Sequence, residues 1–368
     1  MDKLRNLNKT TRSNLITYAI VVASFVIMQG LVLAGAISNS LTGLLVPICA
    51  YICMAISLNL VVGISGELSL GHAGFMSVGA FSGLVVAACL RGLVASDPIR
   101  LALSMVVAGV FAAIAGILVG LPVMRLHGDY LAIVTLAFGE IIKNLLNNLY
   151  VGQDAAGLHF SMTDAKALGM QGGTILINGP QGATGIDKLS SFVSGFALIL
   201  ISLFVVLNLI NSRTGRAIMA VRDNRIAAES VGINTMKYRL IAFVVSAALA
   251  GMAGALYAMN FSSIVPKKFD FNTSILILVF VVLGGMGNIR GGIISAALLT
   301  ILPEQLRFMG DYRMLIYAVV LVVVMIVSNN SKAQEVLRSL RARIRNRQDF
   351  DKAALAADAA RQGGARDE

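Results

Sequence analysis

The sequence predicts an all-α, polytopic transmembrane bundle of about eight to ten spans. Three observations carry this reading. The 368 residues are 57% hydrophobic and 13% charged, with a mean hydropathy of +0.80, whereas soluble domains carry about 25% charged residues. Runs almost free of charge, such as Leu15 to Ile37 and Leu41 to Gly63, exceed the ~20 residues that cross a bilayer as helix. The basic residues fall between such runs and on one side of them.

Taken in order, residues 1–14 form a basic segment with Lys3, Arg5, Lys9 and Arg12. The apolar run that follows is longer than the ~7–15 residues of a signal-peptide core, so it is read as a retained helix. Spans are expected at 15–37, 41–63, 67–90, 101–124, 131–149, 190–210, 239–260, 273–285, 291–306 and 313–328, making 15–328 one transmembrane domain. With the N-terminus inside, 21 of the 30 Lys and Arg residues lie on the cytoplasmic pieces, 8 on the other side, and Lys143 within a span. By the positive-inside rule both termini are cytoplasmic. The same distribution explains the net charge of +11 without a nucleic-acid partner. Cys49, Cys53 and Cys89 lie in apolar runs and have neither metal-ligand nor disulfide spacing.

The weakest spans are 131–149, which contains Glu140 and Lys143, and the stretch Ser274 to Pro303. Thirteen residues at 273–285 reach only about 20 Å as helix, which fits a re-entrant pair or one broken helix. Small residues recur every fourth position in three ladders: Ala108, Ala112, Gly116 and Gly120; Gly79, Gly83 and Ala87; Ala247, Gly251 and Ala255. Such ladders allow helices to approach closely in lipid. The polar, glycine-rich stretch at about 151–189 is an external loop. The tail 329–368 is basic and cytoplasmic, with a surface helix expected over Val336 to Ile344 and disorder at its end.

Two segments carry candidate chemistry. In SLNLVVGISGELSLGHAGFMSVGAF (57–81), Gly63, Gly66, Gly71, Gly74 and Gly79 interrupt a helix that also holds Asn59, Glu67, Ser69 and His72. Broken backbone at membrane depth is tolerated only inside protein or around a wet cavity, and an intramembrane ionisable group is a functional candidate. The bland alternative places Glu67 and His72 at the cytoplasmic interface as helix caps. The expected pathway residues are Asn59, Gly66, Glu67, Ser69, Gly71 and His72, with Gly284, Gly285 and Gly287 from the second glycine-rich break. Glu67 is expected to be paired, hydrated or near the interface, because an unpaired buried carboxylate is costly.

The second segment is the cytoplasmic loop at about 211–238. Thr214 is a plausible N-cap, Ile218, Val221, Ala228 and Val231 recur at helical spacing, and Gly232 ends the helix. Asn234 or Thr235 can cap the next span. Arg222, Arg225 and Glu229 lie on another face, the last two in i,i+4 relation. A short amphipathic helix there reads as a docking knob or as a membrane-surface helix.

Other chemistries fit poorly. No G-x-x-x-x-G-K-[ST] occurs, so an ATP site is expected on another chain. Gly63-Ile64-Ser65-Gly66 matches the short G-x-S-G pattern of intramembrane serine proteases, but His72 is only seven residues away in a broken segment, and His127 and His159 sit in loops, so no histidine in a later span faces Ser65 as base.

The chain from about Ile56 to Ser328 resembles the permease family of ABC importers for branched-chain amino acids, specifically its longer, M-type subunit. The resemblance rests on SLNLVVGISGELSLGHAGF (57–75), GRAIMAVRDNRIAAESVGIN (215–234), SAALAGMAGALYA (246–258), VVLGGMGNIRGG (281–292), LLTILPEQLR (298–307) and DYRMLIYAVVLVVVMI (311–326). It implies a transport subunit rather than an enzyme, in a prokaryotic inner membrane. The implied partners are a second homologous permease as a heterodimer, two ATP-binding subunits and a periplasmic or extracellular amino-acid-binding protein. No cofactor or metal is expected on this chain, since ATP and magnesium would sit on the ATPases. The coupling residues it implies are Arg222, Arg225, Ala227, Ala228, Glu229 and Gly232. Importers generally show Glu-Ala-Ala, three residues, then Gly there; this chain has Ala227-Ala228-Glu229 and Gly232. Urea or amide transport by the same family remains open. So does an ion-coupled carrier acting alone through Glu67, Glu140 and Lys143.

Overall fold

A computed structural model of the protein describes residues 9–35, 38–125, 130–154, 157–170 and 173–329. The basic tail 330–368, with the helix expected at 336–344, lies outside the described residues, as does the start of the 1–14 segment. The chain forms two compact units, Met1–Glu304 and Gln305–Glu368.

The first unit contains α1 (Lys9–Leu33), α2 (Asn39–Asn59) running into a π-helical turn (Leu60–Ser65), α3 (His72–Cys89), α4 (Asp97–Val123) and α5 (Tyr130–Asn147). After a small sheet come α6 (Phe192–Asn211), α7 (Arg213–Asp223), α8 (Arg225–Ser230), α9 (Thr235–Ala258), α10 (Phe271–Gly284) and α11 (Ile289–Gln305). In the second unit the described residues form a tight turn (Leu306–Tyr312) and α12 (Arg313–Asn329). Seven helices among the described residues are long and apolar enough to cross a membrane: α1 to α6 and α9.

The small-residue ladders interlock at the centre of the first unit. Gly79 of α3 lies directly on the backbone of Gly251 in α9, and a Cβ on Gly83 would sit 2.7 Å from the Ala255 methyl. Beside this seam, a Cβ on Gly116 of α4 would meet the Ala247 methyl at 2.8 Å, and Gly251 abuts Ala108 and Ala112. Helix α9 is therefore gripped by α3 and α4 through backbone-close contacts, the packing lipid favours. Phe75, Phe81, Phe243, Phe269 and Phe280 are fully buried around this centre.

The stretch 274–303 resolves as a helical hairpin. Ser295 of α11 hydrogen-bonds the Phe280 carbonyl of α10, and Gly284 presses on Gly291, so the two helices run antiparallel. Their 14 and 17 residues extend only about 21 and 26 Å, short of the ~30 Å hydrocarbon core. Of the two expectations, the re-entrant pair is the arrangement found and the single broken helix is not. The turn between them needs positive φ at Gly285 (90°) and Gly287 (81°), which only glycine adopts without strain.

The 151–189 loop, expected outside, holds structure that its composition did not announce. Strands β1 (Tyr150–Asp154), β2 (Gly157–Ser161), β3 (Thr174–Asn178) and β4 (Ala183–Thr184) are joined by β5 (Ser263–Ile264), which follows α9, in the antiparallel order β2-β1-β3-β4-β5. A cavity of about 670 Å³ separates this sheet from the end of α3, lined by Leu84, Ala88, Arg91, Leu176, Ala183 and Asp187. Arg91 makes a two-pronged ion pair with Asp187.

The pieces assigned to one side by charge also meet in space. Arg222 contacts Gly63, Arg239 contacts Met124, and Gly287 contacts Asn59, which gathers the expected cytoplasmic segments at one end. At the other end Arg91 meets Asp187, Ser190 meets Leu256, and β4 meets β5.

Candidate functional site

The break after α2 is built from three steps. First, the helix widens into the π turn, a local form often found at functional sites, and ends at Gly66 with φ 76°. Second, residues 66–71 climb back into the bundle. Third, α3 starts at His72, whose Nε2 lies 2.7 Å from the Ser57 hydroxyl. The Ser57 hydroxyl also lies 2.9 Å from the Met54 carbonyl, so it bridges the His72 ring to the α2 backbone. Ser57 precedes Ser65 by about two helical turns, so α3 begins ~12 Å inside the end of α2. The span expected at 67–90 therefore starts five residues later than its apolar run.

Backbone groups freed by this break are met by hydroxyls from other helices. Leu70 N–H donates to Thr135 Oγ1 of α5 at 3.1 Å, and Ala73 N–H to Ser274 Oγ of α10 at 3.1 Å. Gly71 lies against the Thr135 backbone, where a Cβ would overlap it. Asn59 is fully buried and accepts from Gly287 N–H at 2.8 Å, so the hairpin tip is tied to the end of α2. Asn59 Nδ2, Ser69 Oγ and one Glu67 carboxylate oxygen are buried without a hydrogen-bond partner among the described residues. Such orphaned polar atoms are unusual in a settled core.

Glu67 is paired: its carboxylate meets Arg239 Nε, and Arg239 Nη1 donates to the Met124 carbonyl at 3.2 Å. Both side chains are about one-tenth exposed, and His72 is buried. Gly284, Gly285 and Gly287 form the hairpin turn, of which only Gly287 touches the α2 segment directly.

The 211–238 loop folds as two helices rather than one. The N-cap of α7 is Ser212, whose hydroxyl accepts from Gly215 N–H at 3.1 Å; Thr214, expected as the cap, lies inside the first turn. Asn224 interrupts the predicted helix and caps α8 by accepting from Ala227 N–H at 3.0 Å. An Asn side chain bonds nearby backbone readily, which favours a cap over a helix interior. Asn234 caps α9 through Lys237 N–H at 3.0 Å. Ile218, Val221 and Ala228 are buried as their spacing predicts, but Val231 is 74% exposed and Ile226 81% exposed. Two large apolar side chains thus stand open on α8 and its end, beside the Arg225–Glu229 ion pair at 3.0 Å. Ala227 is exposed, and Gly232 takes φ 84° to end the helix.

The sequence reading placed Arg222 with the docking residues, yet it faces the break. Its Nη1 donates to the Gly63 carbonyl at 3.0 Å, its stem lies over Gly66, and Asp223 Oδ1 holds Nε and Nη2 at 3.0 and 2.9 Å. Arg239, Thr135 and Ser274 were missed. Only Arg239 left a signal, as a charge at the first residue of the expected span 239–260. On α5, Glu140 and Lys143 pair with each other.

A bundle of membrane-crossing helices, with one broken span, a short hairpin abutting the break and a cytoplasmic helix pair bonded to it, is the architecture of a multi-pass membrane permease. Residues 40–327 match the model of the family described as branched-chain amino acid transport system / permease component, and the chain belongs to that family. It is 36% identical over 300 residues to the high-affinity branched-chain amino acid transport system permease protein LivM of Escherichia coli (strain K12), covering 75% of this chain and 66% of that one. It is 25% identical over 235 residues to a probable LivM of Methanocaldococcus jannaschii (61% of this chain, 63% of that one) and 29% identical over 219 residues to that organism's probable branched-chain amino acid transport permease protein LivH (56% and 63%). The chain thus spans slightly less than two thirds of the length of these curated relatives. No solved structure gives a significant match.

Proposed function

We propose that this chain is one of two pore-forming permease subunits of an ATP-driven importer in a prokaryotic inner membrane, moving branched-chain, hydrophobic amino acids delivered by an external binding protein. The observation that carries this reading is the α7–α8 pair. Its exposed Ile226 and Val231 lie outside every apolar span, next to the fixed Arg225–Glu229 pair. An apolar tip rimmed by charge fits a groove on a soluble partner, here the ATPase subunit. The similarity to chains named LivM and LivH supports the substrate class and a second, related permease.

The pathway in this reading runs past Asn59, Ser69, His72 and the hairpin tip. Freed N–H groups and carbonyls suit the carboxylate and amine of a zwitterion, while an aliphatic side chain needs only apolar walls. The carrier alternative is disfavoured because Glu67, Glu140 and Lys143 each face an opposite charge. The test is uptake of radiolabelled leucine by proteoliposomes containing this chain, its partner permease, the ATPases and the binding protein. ATP-dependent uptake that unlabelled isoleucine suppresses and urea does not is the expected result. Leucine uptake by the purified chain alone, driven by an ion gradient, would refute the reading.

A further inference from the structure

We propose that Arg222 and Arg239 clamp the broken segment 60–67 to the cytoplasmic helix pair, so that a displacement of α7 and α8 is delivered to Gly63 and Glu67. This rests on the importer reading above and assigns its mechanical link to named side chains. The two arginines hold the segment on either side of Gly66, where the chain turns with φ 76°. Arg222 grips the Gly63 carbonyl at 3.0 Å, and Arg239 grips the Glu67 carboxylate. Both reach residues of the expected route, Gly66 and Glu67, and both act through the segment they hold.

Polar contacts joined through one turn of α9 lead from the exposed helix to that grip. Glu229 Oε1 accepts from Arg225 Nε at 3.0 Å and from Thr235 Oγ1 at 2.8 Å. Thr235 and Arg239 are one turn apart on one face of α9. Arg239 then reaches Glu67 and the end of α4 together. Beyond the clamp, Asn59 passes any shift to the hairpin through Gly287 N–H at 2.8 Å. A buried ion pair contributes little net stability compared with apolar packing, so the Glu67–Arg239 pair is better explained by a fixed register between two moving parts. Interfaces of this kind switch between discrete packings rather than deforming smoothly.

The assembled importer in proteoliposomes provides the test, with leucine uptake and ATP hydrolysis measured on the same vesicles. Glu67→Gln, Arg239→Gln and Arg222→Gln should each leave hydrolysis within about twofold and lower the leucine moved per ATP about tenfold, within the usual range of coupling between sites. Glu67→Gln with Arg239→Gln should do no more than either alone, since both remove one contact. Arg239→Lys should restore part of the ratio. The clamp is overturned if the leucine-to-ATP ratio of the assembled variants stays at the wild-type value, including a parallel fall in both activities. Should the buried variants fail to assemble, Arg222→Gln decides alone, because that side chain is 37% exposed and its loss leaves no buried charge. A wild-type complex that moves no leucine would instead refute the importer reading.

Discussion

Replacing Gly79 by alanine tests the centre of the bundle, and the structure grades the outcome against three other glycines. A Cβ at Gly79 would overlap the Cα, C and O atoms of Gly251, all backbone, so α3 and α9 must separate. Overpacking of this kind costs about 1–3 kcal/mol, and the upper end applies because no side chain can swing aside. At Gly83 the obstacle is the Ala255 methyl at 2.7 Å, with the Ala108 methyl at 3.4 Å. That smaller overlap places Gly83→Ala at about 1–2 kcal/mol. At Gly109 the new methyl meets Met252 Cγ at 2.9 Å, a flexible chain that can turn away, and alanine adds up to ~1 kcal/mol of helix propensity over glycine. The two effects nearly cancel. Gly30 of α1 has nothing within 4 Å, so Gly30→Ala should be neutral or stabilising by at most ~1 kcal/mol. Thermal melting of detergent-solubilised protein, followed by the monodisperse peak on size-exclusion chromatography, should rank the variants Gly79, Gly83, Gly109, Gly30 from least to most stable. If Gly79→Ala melts with Gly30→Ala, α3 and α9 do not meet at these residues and the packing argument fails.

Asn59→Ala removes the acceptor of the Gly287 N–H and should destabilise the hairpin tip by about 1–3 kcal/mol, the cost of an orphaned buried donor; faster hydrogen exchange at 284–292 without a change in α4 is the expected signature. Glu140→Gln or Lys143→Gln alone leaves one charge at membrane depth, so each should express less well than the double variant, which removes both charges; equal yields for all three would show that the pair is solvated. In a background lacking the native cysteines, Thr184→Cys should react with a membrane-impermeant maleimide on intact cells and Ile226→Cys should not. The reverse pattern would invert the orientation derived from charge.

Much of this architecture is written in local pattern. The apolar runs, the ladders, the Arg225–Glu229 spacing and the Asn234 cap depend on neighbours within a few residues, which periodicity reports. The break at 57–74 was legible because glycines and polar groups stand where an uninterrupted span would have neither. What stayed hidden depends on partners far along the chain. The Glu67–Arg239 pair joins residues on α9 and before α3, and each charge alone resembles an interface residue. Hydroxyls such as Thr135 and Ser274 are unremarked until a broken backbone is placed beside them. The split at Asn224 was visible in principle, since an Asn at the midpoint of a polar helix is a cap in waiting. The sheet was illegible for another reason: its strands are short, lack clean alternation, and include one from beyond α9.

That last strand has a consequence for how the protein is made. β4 at Ala183–Thr184 pairs with β3 on one edge and finds its second partner only at Ser263–Ile264, after α6, the α7–α8 pair and α9 have all been synthesised. Until then β4 exposes a bare edge, the kind of surface that pairs with the wrong chain. Sealing the sheet requires α9 to have crossed the bilayer in the correct direction, because otherwise β5 emerges on the wrong face. Closure of this sheet thus comes late in synthesis, after every helix from α1 to α9 is in the chain.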